Sequence, residues 1–211
     1  MSSISVRKLE HPTDTQIDEA VELCKQAYAN DPTNEILTRG EPKLSDPAWR
    51  TVIRAGAHSG ALYVASSDGS DAIQAVAVWF PPGTSLLGTP DQLALGFTEF
   101  IAAMSTEHRE WFLNDYARKY GEFRLRSFGE NTERDAWYCN LIATHPEYQG
   151  HGLASAILEE VAKVAADENK AVALCTQNTV NVPFYRKRGF TELGRSDDPL
   201  VYAFIRRPSG V

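Results

Sequence analysis

The stretch Ala136-Trp137-Tyr138-Cys139-Asn140-Leu141-Ile142-Ala143-Thr144-His145-Pro146-Glu147-Tyr148-Gln149-Gly150-His151-Gly152-Leu153-Ala154 decides the fold. Ala136 to Thr144 is an apolar segment that reads as a strand. Gly152 opens an amphipathic helix that runs to about Asn169, with Leu153, Ile157, Val161 and Val164 on one face. Glu159 and Lys163 stand four apart outside, a pairing worth about 0.3–0.5 kcal/mol. A glycine-bearing turn between strand and helix leaves several backbone N–H groups unpaired and pointing one way. With the positive end of the helix dipole they form a site for an anion such as a pyrophosphate. Gly150 and Gly152 carry no Cβ, so the backbone can approach a ligand closely. No acidic residue occupies the first helical turn.

Three kinds of phosphate-binding turn compete for this segment. A Walker loop closes in Gly-Lys-Ser/Thr, and no lysine follows Gly152. A dinucleotide fingerprint needs a third glycine, where Ser155 stands, and an acidic residue ending the next strand. That strand, Ala171 to Thr176, ends without one. The third pattern, Gln/Arg-x-x-Gly-x-Gly/Ala, is matched by Gln149, Gly152 and Ala154. Downstream, Asn178-Thr179-Val180-Asn181-Val182-Pro183-Phe184-Tyr185-Arg186-Lys187-Arg188-Gly189-Phe190 matches Asn-x-x-x-x-x-Phe-Tyr-x-x-x-Gly-Phe. On these residues the chain resembles the GCN5-related N-acetyltransferase (GNAT) superfamily, specifically over residues 136–193 and in topology before that. The runs Trp79-Phe80-Pro81-Pro82-Gly83 and Asn181-Val182-Pro183-Phe184-Tyr185 look like its puromycin-N-acetyltransferase-like, small-molecule branch.

The resemblance implies an α/β fold: a mixed, mostly antiparallel central sheet of about seven strands, flanked by helices and splayed between the fourth and fifth strands. It implies acetyl-coenzyme A as cofactor, with the pantetheine arm in the splay. Backbone groups of Ile142, Ala143 and Thr144 would bind that arm, one N–H facing the thioester oxygen. Gln149, Gly150, His151, Gly152, Leu153, Ala154 and Ser155 would hold the pyrophosphate, His151 through its backbone. Tyr185 would protonate the departing thiolate. Asn178 and Asn181 would bond the cofactor.

A chain of 211 residues fits one domain, 1–211, with length for a substantial core. Hydrophobic residues at 43% and charged residues at 23% are ordinary globular values. No apolar run spans a bilayer, and the first residues lack the apolar stretch of a signal peptide. Cys24, Cys139 and Cys175 make neither a complete disulfide set nor a metal-ligand spacing. A cytoplasmic, reduced protein is expected, monomer or homodimer. The net charge of −7 disfavours nucleic acid and suits either a cationic amine or plain solubility.

Along the chain, Ile4–Leu9 reads as a strand and Asp14–Ala29 as a helix ended by Asp31-Pro32-Thr33-Asn34. Pro47–His58 reads as a helix with Asp46 as N-cap. Ala61–Ser66 and Ala72–Phe80 read as a hairpin. Residues 84–132 form an insertion with helical pieces at Pro90–Met104 and Thr106–Tyr120. Then follow a short helix Val180–Arg188, stopped by Gly189, and strands at Phe190–Gly194 and Leu200–Ile205.

Amide formation from a thioester requires a deprotonated amine, a stabilised oxyanion and a protonated leaving thiolate. Tyr185 suits the last role, or packs as a core aromatic beside Phe184 and Phe190. Asn178 and Asn181 suit cofactor contacts or helix N-caps. Arg186, Lys187 and Arg188 reach a cofactor phosphate or complement a helix C-terminus. The general base is not evident: Tyr138 and Asn140 share one sheet face, and neither is a strong base. Asp31 and Glu35 could supply a base or hold a cationic amine, or be solvated loop charges. Trp79 lines the acceptor pocket or caps the core. The sequence reading is therefore acetyl transfer to a primary amine of a small molecule by direct attack. The rivals are a protein or peptide N-acetyltransferase and a non-catalytic coenzyme-A-binding module.

Overall fold

The computed structural model describes residues 3–132 and 134–208. Its strands are β1 (Ile4–Leu9), β2 (Ala61–Ser67), β3 (Ala75–Phe80), β4 (Trp137–Thr144), β5 (Val172–Thr176), β6 (Thr191–Asp197) and β7 (Leu200–Arg206). They form one sheet in the order β1-β2-β3-β4-β5-β7-β6. Every neighbouring pair is antiparallel except β4 and β5, which run parallel. This is the α/β architecture expected above, with seven strands.

The helices are α1 (Asp14–Ala27), α2 (Pro32–Thr38), α3 (Ser45–Ser59), α4 (Pro90–Gln92), α5 (Thr98–Ala103), α6 (Thr106–Glu110), α7 (Ala117–Thr132), α8 (Leu153–Asp167) and α9 (Val182–Arg186). Thr13 starts α1 with a capping box: its side chain accepts from Gln16 N, and Gln16 Oε1 accepts from Thr13 N. α1 and α3 bury Ile17, Val21, Cys24, Trp49 and Ile53 against one face of β1–β4. At Gly56 an added Cβ would stand 2.5 Å from Val78 Cγ1, so glycine lets α3 lie close on the sheet. α8 covers the other face with Leu153, Ile157, Leu158 and Val161, joined there by Tyr185 and Phe190. α7 packs Phe123 and Phe128 over β5 and β7.

Several local expectations change. Pro32 opens α2, a helix absent from the sequence reading, with Asp31 as its N-cap. α3 starts at Ser45 after Leu44, so Asp46 lies inside the first turn and binds Arg50 Nε at 3.0 Å instead of capping. β3 begins at Ala75, three residues late. The insertion helices continue to Thr132. Glu159 pairs with Arg206 at 2.7 Å and Lys163 with Glu160, because β7 brings a guanidinium beside α8.

Candidate functional site

β4 and β5 stay paired only from Trp137↔Val172 to Cys139↔Leu174, and then diverge. On its other edge β4 pairs with β3, but Val78 opposes Leu141 while Trp79 opposes Cys139. Asn140 is thus the extra residue of a bulge, which bends β4 where it leaves β5. His145 N donates to Gln74 O at 2.9 Å. Antiparallel alternation then turns the amides of Leu141 and Ala143 toward β3 and those of Ile142 and Thr144 toward the gap. Two contacts agree: Tyr28 Oη donates to Ile142 O at 2.9 Å, and Gln149 Nε2 donates to Thr144 O at 3.3 Å.

Below the gap lies the turn into α8. Gly150 has φ 81° and Gly152 has φ 90°, left-handed values that disfavour any residue with a Cβ. Gly152 is the N-cap, no side chain caps the helix, and its first turn holds no acid. The first amides of α8 therefore present their N–H groups, with the positive dipole end, to the cleft. Arg188 brings a cation there. Its guanidinium lies 3.6 Å from the centroid of Phe184, and donates to Phe184 O at 3.0 Å and from Nε to Ser155 Oγ at 2.8 Å. The short distance to the ring and these bonds fix it beside the helix N-terminus.

This turn floors a cleft of about 650 Å³ between the α1–α2 corner and α9. Every residue expected at the cofactor lines it except His151, whose side chain faces solvent. A junction of about 60 Å³ continues from the cleft between the parted strands, sharing Tyr28, Asp31, Asn181 and Tyr185 with it. Asn140 lines both the junction and a cavity of about 840 Å³, walled by the segment after β3 and by α7, with Tyr138 in its lining.

Tyr185 stands where cleft and junction join. Its ring lies between Phe184, Phe190 and Phe204, with centroids 5.2, 5.7 and 5.5 Å away. Its hydroxyl makes no hydrogen bond to the described chain. Burial raises its pKa well above that of a free phenol, Cys139 and Asp31 add to the rise, and Arg188 opposes it. The phenol is consequently a held proton, not a base. Tyr185 packs as a core aromatic and also lines both the cleft and the junction. Cys139 donates its thiol to Leu141 O at 3.3 Å, and burial raises its pKa, which keeps it a neutral thiol and a poor nucleophile.

Asp31 is the carboxylate that lines both cleft and junction among the described residues. Its Oδ1 accepts from Thr33 N at 2.8 Å and its Oδ2 from Asn178 Nδ2 at 2.8 Å. It clasps α2 to the loop after β5, across the gap. Asn178 also caps the turn before α9, Oδ1 accepting from Val180 N at 3.0 Å. Its amide thus serves the cap and Asp31, while its edge lines the cleft. Asn181 instead donates to Thr176 Oγ1 at 3.3 Å and makes no cap. Glu35 is exposed on α2, away from the three cavities. Trp79 is fully buried in the core under α8, so it belongs to the core and not to a cavity wall. Arg186 pairs with Glu192 at 2.7 Å, and Lys187 is exposed.

The sequence reading missed Tyr28, whose helical spacing marks it only as core. It also missed Gln177, which accepts from Thr33 Oγ1 and donates to Tyr116 Oη, both at 3.3 Å, joining α2 to the insertion. Gln177 is buried just past the end of β5, a placement that no local sequence pattern marks.

Comparison with known proteins agrees with this geometry. Residues 107–192 match the family model described as acetyltransferase (GNAT) domain. No curated protein sequence matches the chain. Among solved structures, one of a histone acetyltransferase HPA2 and related acetyltransferase from Corynebacterium glutamicum superposes with TM-score 0.65 at 22% identity, over 100% of this chain and 99% of that one. A mosquito arylalkylamine N-acetyltransferase-like protein, 5b, gives 0.62 at 16%, over 97% and 100%. The ribosomal-protein-S18-alanine N-acetyltransferase of Escherichia coli gives 0.54 at 14%, over 99% and 96%. Residues 107–192 are thus similar to a GNAT acetyltransferase domain, and the chain shares the fold of these structures.

Proposed function

Starting from an N-acetyltransferase domain, we propose that the protein moves an acetyl group from acetyl-coenzyme A to a primary amine of a small molecule, by direct attack in a ternary complex. The observation that carries this reading is the narrow junction at the Asn140 bulge, which shares Tyr185 with the cleft and Asn140 with the larger cavity.

The residues present fit the cofactor. The uncapped first turn of α8, Gly150, Gly152 and Arg188 suit a diphosphate. The open edge of β4 at Ile142 and Thr144 suits the amides of a pantetheine arm. Bound acetyl-coenzyme A would supply a thioester as electrophile. Ile142 N–H, turned to the gap, would donate to the oxyanion that develops there. Tyr185 holds a proton for the leaving sulfur. Asp31, at the mouth of the junction, takes the proton that the ammonium must lose, directly or through water. The buried, neutral thiol of Cys139 favours direct attack over an acetyl-cysteine intermediate.

A small acceptor suits the 840 Å³ cavity, because α7 and the segment after β3 wall it where an extended peptide would need an open groove. The run Trp79-Phe80-Pro81-Pro82-Gly83 leads into that wall, and the puromycin-N-acetyltransferase-like branch stays a proposal resting on it. The mosquito protein's name denotes an amine acceptor, and the Escherichia coli protein's a ribosomal protein, so a protein acceptor is the second reading. Titration with acetyl-coenzyme A, then thiol release over amines and peptides, decides between them. Release with small amines supports the proposal. Release with peptides alone supports the second reading, and binding without any release supports a non-catalytic module.

A further inference from the structure

β4 and β5 have parted before β5 ends at Thr176, and the next two side chains both reach the start of α2. Asn178 Nδ2 donates to Asp31 Oδ2 at 2.8 Å. Gln177 reaches one residue further on. Thr33 Oγ1 donates to Gln177 Oε1, and Gln177 Nε2 donates to Tyr116 Oη, both at 3.3 Å. Thr33 in turn donates its N–H to Asp31 Oδ1 at 2.8 Å. A continuous path of contacts thus runs from Tyr116 through Gln177 and Thr33 to Asp31.

The two ends of the path differ in rigidity. α2 spans only Pro32–Thr38, too short to be stiff without tertiary support. Tyr116 is the anchored end. Its ring stacks between Phe112 and Tyr120, with centroids 5.6 Å away on each side. It stands directly before α7, which walls the larger cavity. Gln177 is buried and lines the junction. A buried amide engaged at both its oxygen and its nitrogen is held in place, and losing it removes a partner from each of two hydroxyls.

Resting on the reading of Asp31 as the group that takes the proton of the ammonium, we infer that Gln177 is a positioning residue. It ties Thr33, and through Thr33 the Asp31 carboxylate, to the helix before the wall of the acceptor cavity. Gln177 exchanges no proton itself; it sets where Asp31 Oδ1 lies. A misplacement of about 1 Å at a reacting group lowers a rate by about a hundredfold. The cofactor contacts expected at Gly150, Gly152 and Arg188 lie outside this path, so coenzyme A binding should not feel its loss.

The test is thiol release from acetyl-coenzyme A with propylamine, phenethylamine and glycinamide as acceptors, with a calorimetric Kd for acetyl-coenzyme A alongside. Gln177→Met keeps the length of the side chain and loses both bonds, and Thr33→Val loses the hydroxyl. Each should lower kcat by about tenfold to a hundredfold, with Kd within about twofold of wild type. Thr33→Ser keeps the hydroxyl and should stay within about threefold of wild type. In an Asp31→Asn background, itself lowered by about a hundredfold or more, Gln177→Met should remove less than about twofold further, since both changes act through one carboxylate. Should Gln177→Met fail to fold, Thr33→Val carries the same expectations. An unchanged kcat in either variant, an equal fall in the Asp31→Asn background, or a Kd that weakens in step with kcat overturns the inference and leaves acetyl transfer standing. Asp31→Asn turning over like wild type, or a wild type that releases no thiol with any of these amines, instead sinks the reading beneath it.

Discussion

Replacing Tyr185 by phenylalanine isolates one proton. The ring keeps its contacts with Phe184, Phe190 and Phe204, and the hydroxyl it loses has no hydrogen-bond partner in the described chain. Folding stability should therefore move by less than about 1 kcal/mol. The cofactor cleft keeps its floor, because the turn at Gly150 and Gly152 and the Arg188 contact are untouched. Turnover should fall by the worth of a general acid, about 10²–10⁴-fold, or about 3–5 kcal/mol of barrier. Burial raises the pKa of Tyr185, so the phenol keeps its proton across the assay range. The ratio of wild-type to variant turnover should hence be flat from about pH 6 to 9. The assay is thiol release at saturating acetyl-coenzyme A, with a calorimetric Kd alongside. Turnover within about twofold of wild type at every pH refutes the proton-donor role.

Gly152→Val places a β-branched residue at φ 90°, which should cost about 1–2 kcal/mol of stability and weaken coenzyme A binding at least tenfold; calorimetry and a melting curve read both, and an unchanged Kd contradicts the cradle. Burial raises the pKa values of Tyr28, Tyr120, Tyr138 and Tyr185, takes Tyr116 to about 12, and raises those of Cys24, Cys139 and Cys175. The native state keeps protons that the unfolded chain releases above about pH 8.5 for thiols and 10 for phenols. Stability is thus fully present below those values and lost as pH rises past them. The urea midpoint should hold to about pH 8 and fall steadily above 9; a midpoint unchanged at pH 11 contradicts the burial of these groups. The junction, at about 60 Å³, is narrow beside the cleft of about 650 Å³. Acetyl-coenzyme A should accordingly exceed hexanoyl-coenzyme A in kcat/KM by at least about tenfold, and equal rates would show that the acyl group does not enter the junction.

The region from β4 to Phe190 was legible because its signals are local. Strand, glycine turn and amphipathic helix follow one another, and Gly150, Gly152 and Gly189 all adopt the positive φ their places suggest. The start of α2 was misread because Asp31-Pro32 carries two messages. It stops α1, and it supplies the N-cap and first-turn proline of the next helix. Trp79 was ambiguous for another reason: an aromatic at a strand end looks the same whether a cavity or α8 lies over it. Asp46 binds Arg50 one turn on instead of capping α3, and Glu159 binds Arg206, brought by β7, instead of Lys163, both bidentately. The contact of Tyr28 Oη with Ile142 O bridges 114 positions, which no local pattern encodes. The 840 Å³ cavity was invisible for the same reason, its walls coming from the post-β3 segment, α7 and β4.

The account depends on where a diphosphate binds. A crystal structure of the protein with coenzyme A, or amide shifts followed during titration with it, reads this directly. The predicted result is a diphosphate within hydrogen-bond reach of the N–H groups from Gly150 to Ser155, the pantetheine arm along Ile142 and Thr144, and the sulfur beside Tyr185 Oη. Coenzyme A bound elsewhere, or amides of Gly150–Ser155 that do not respond to saturating coenzyme A, would contradict it.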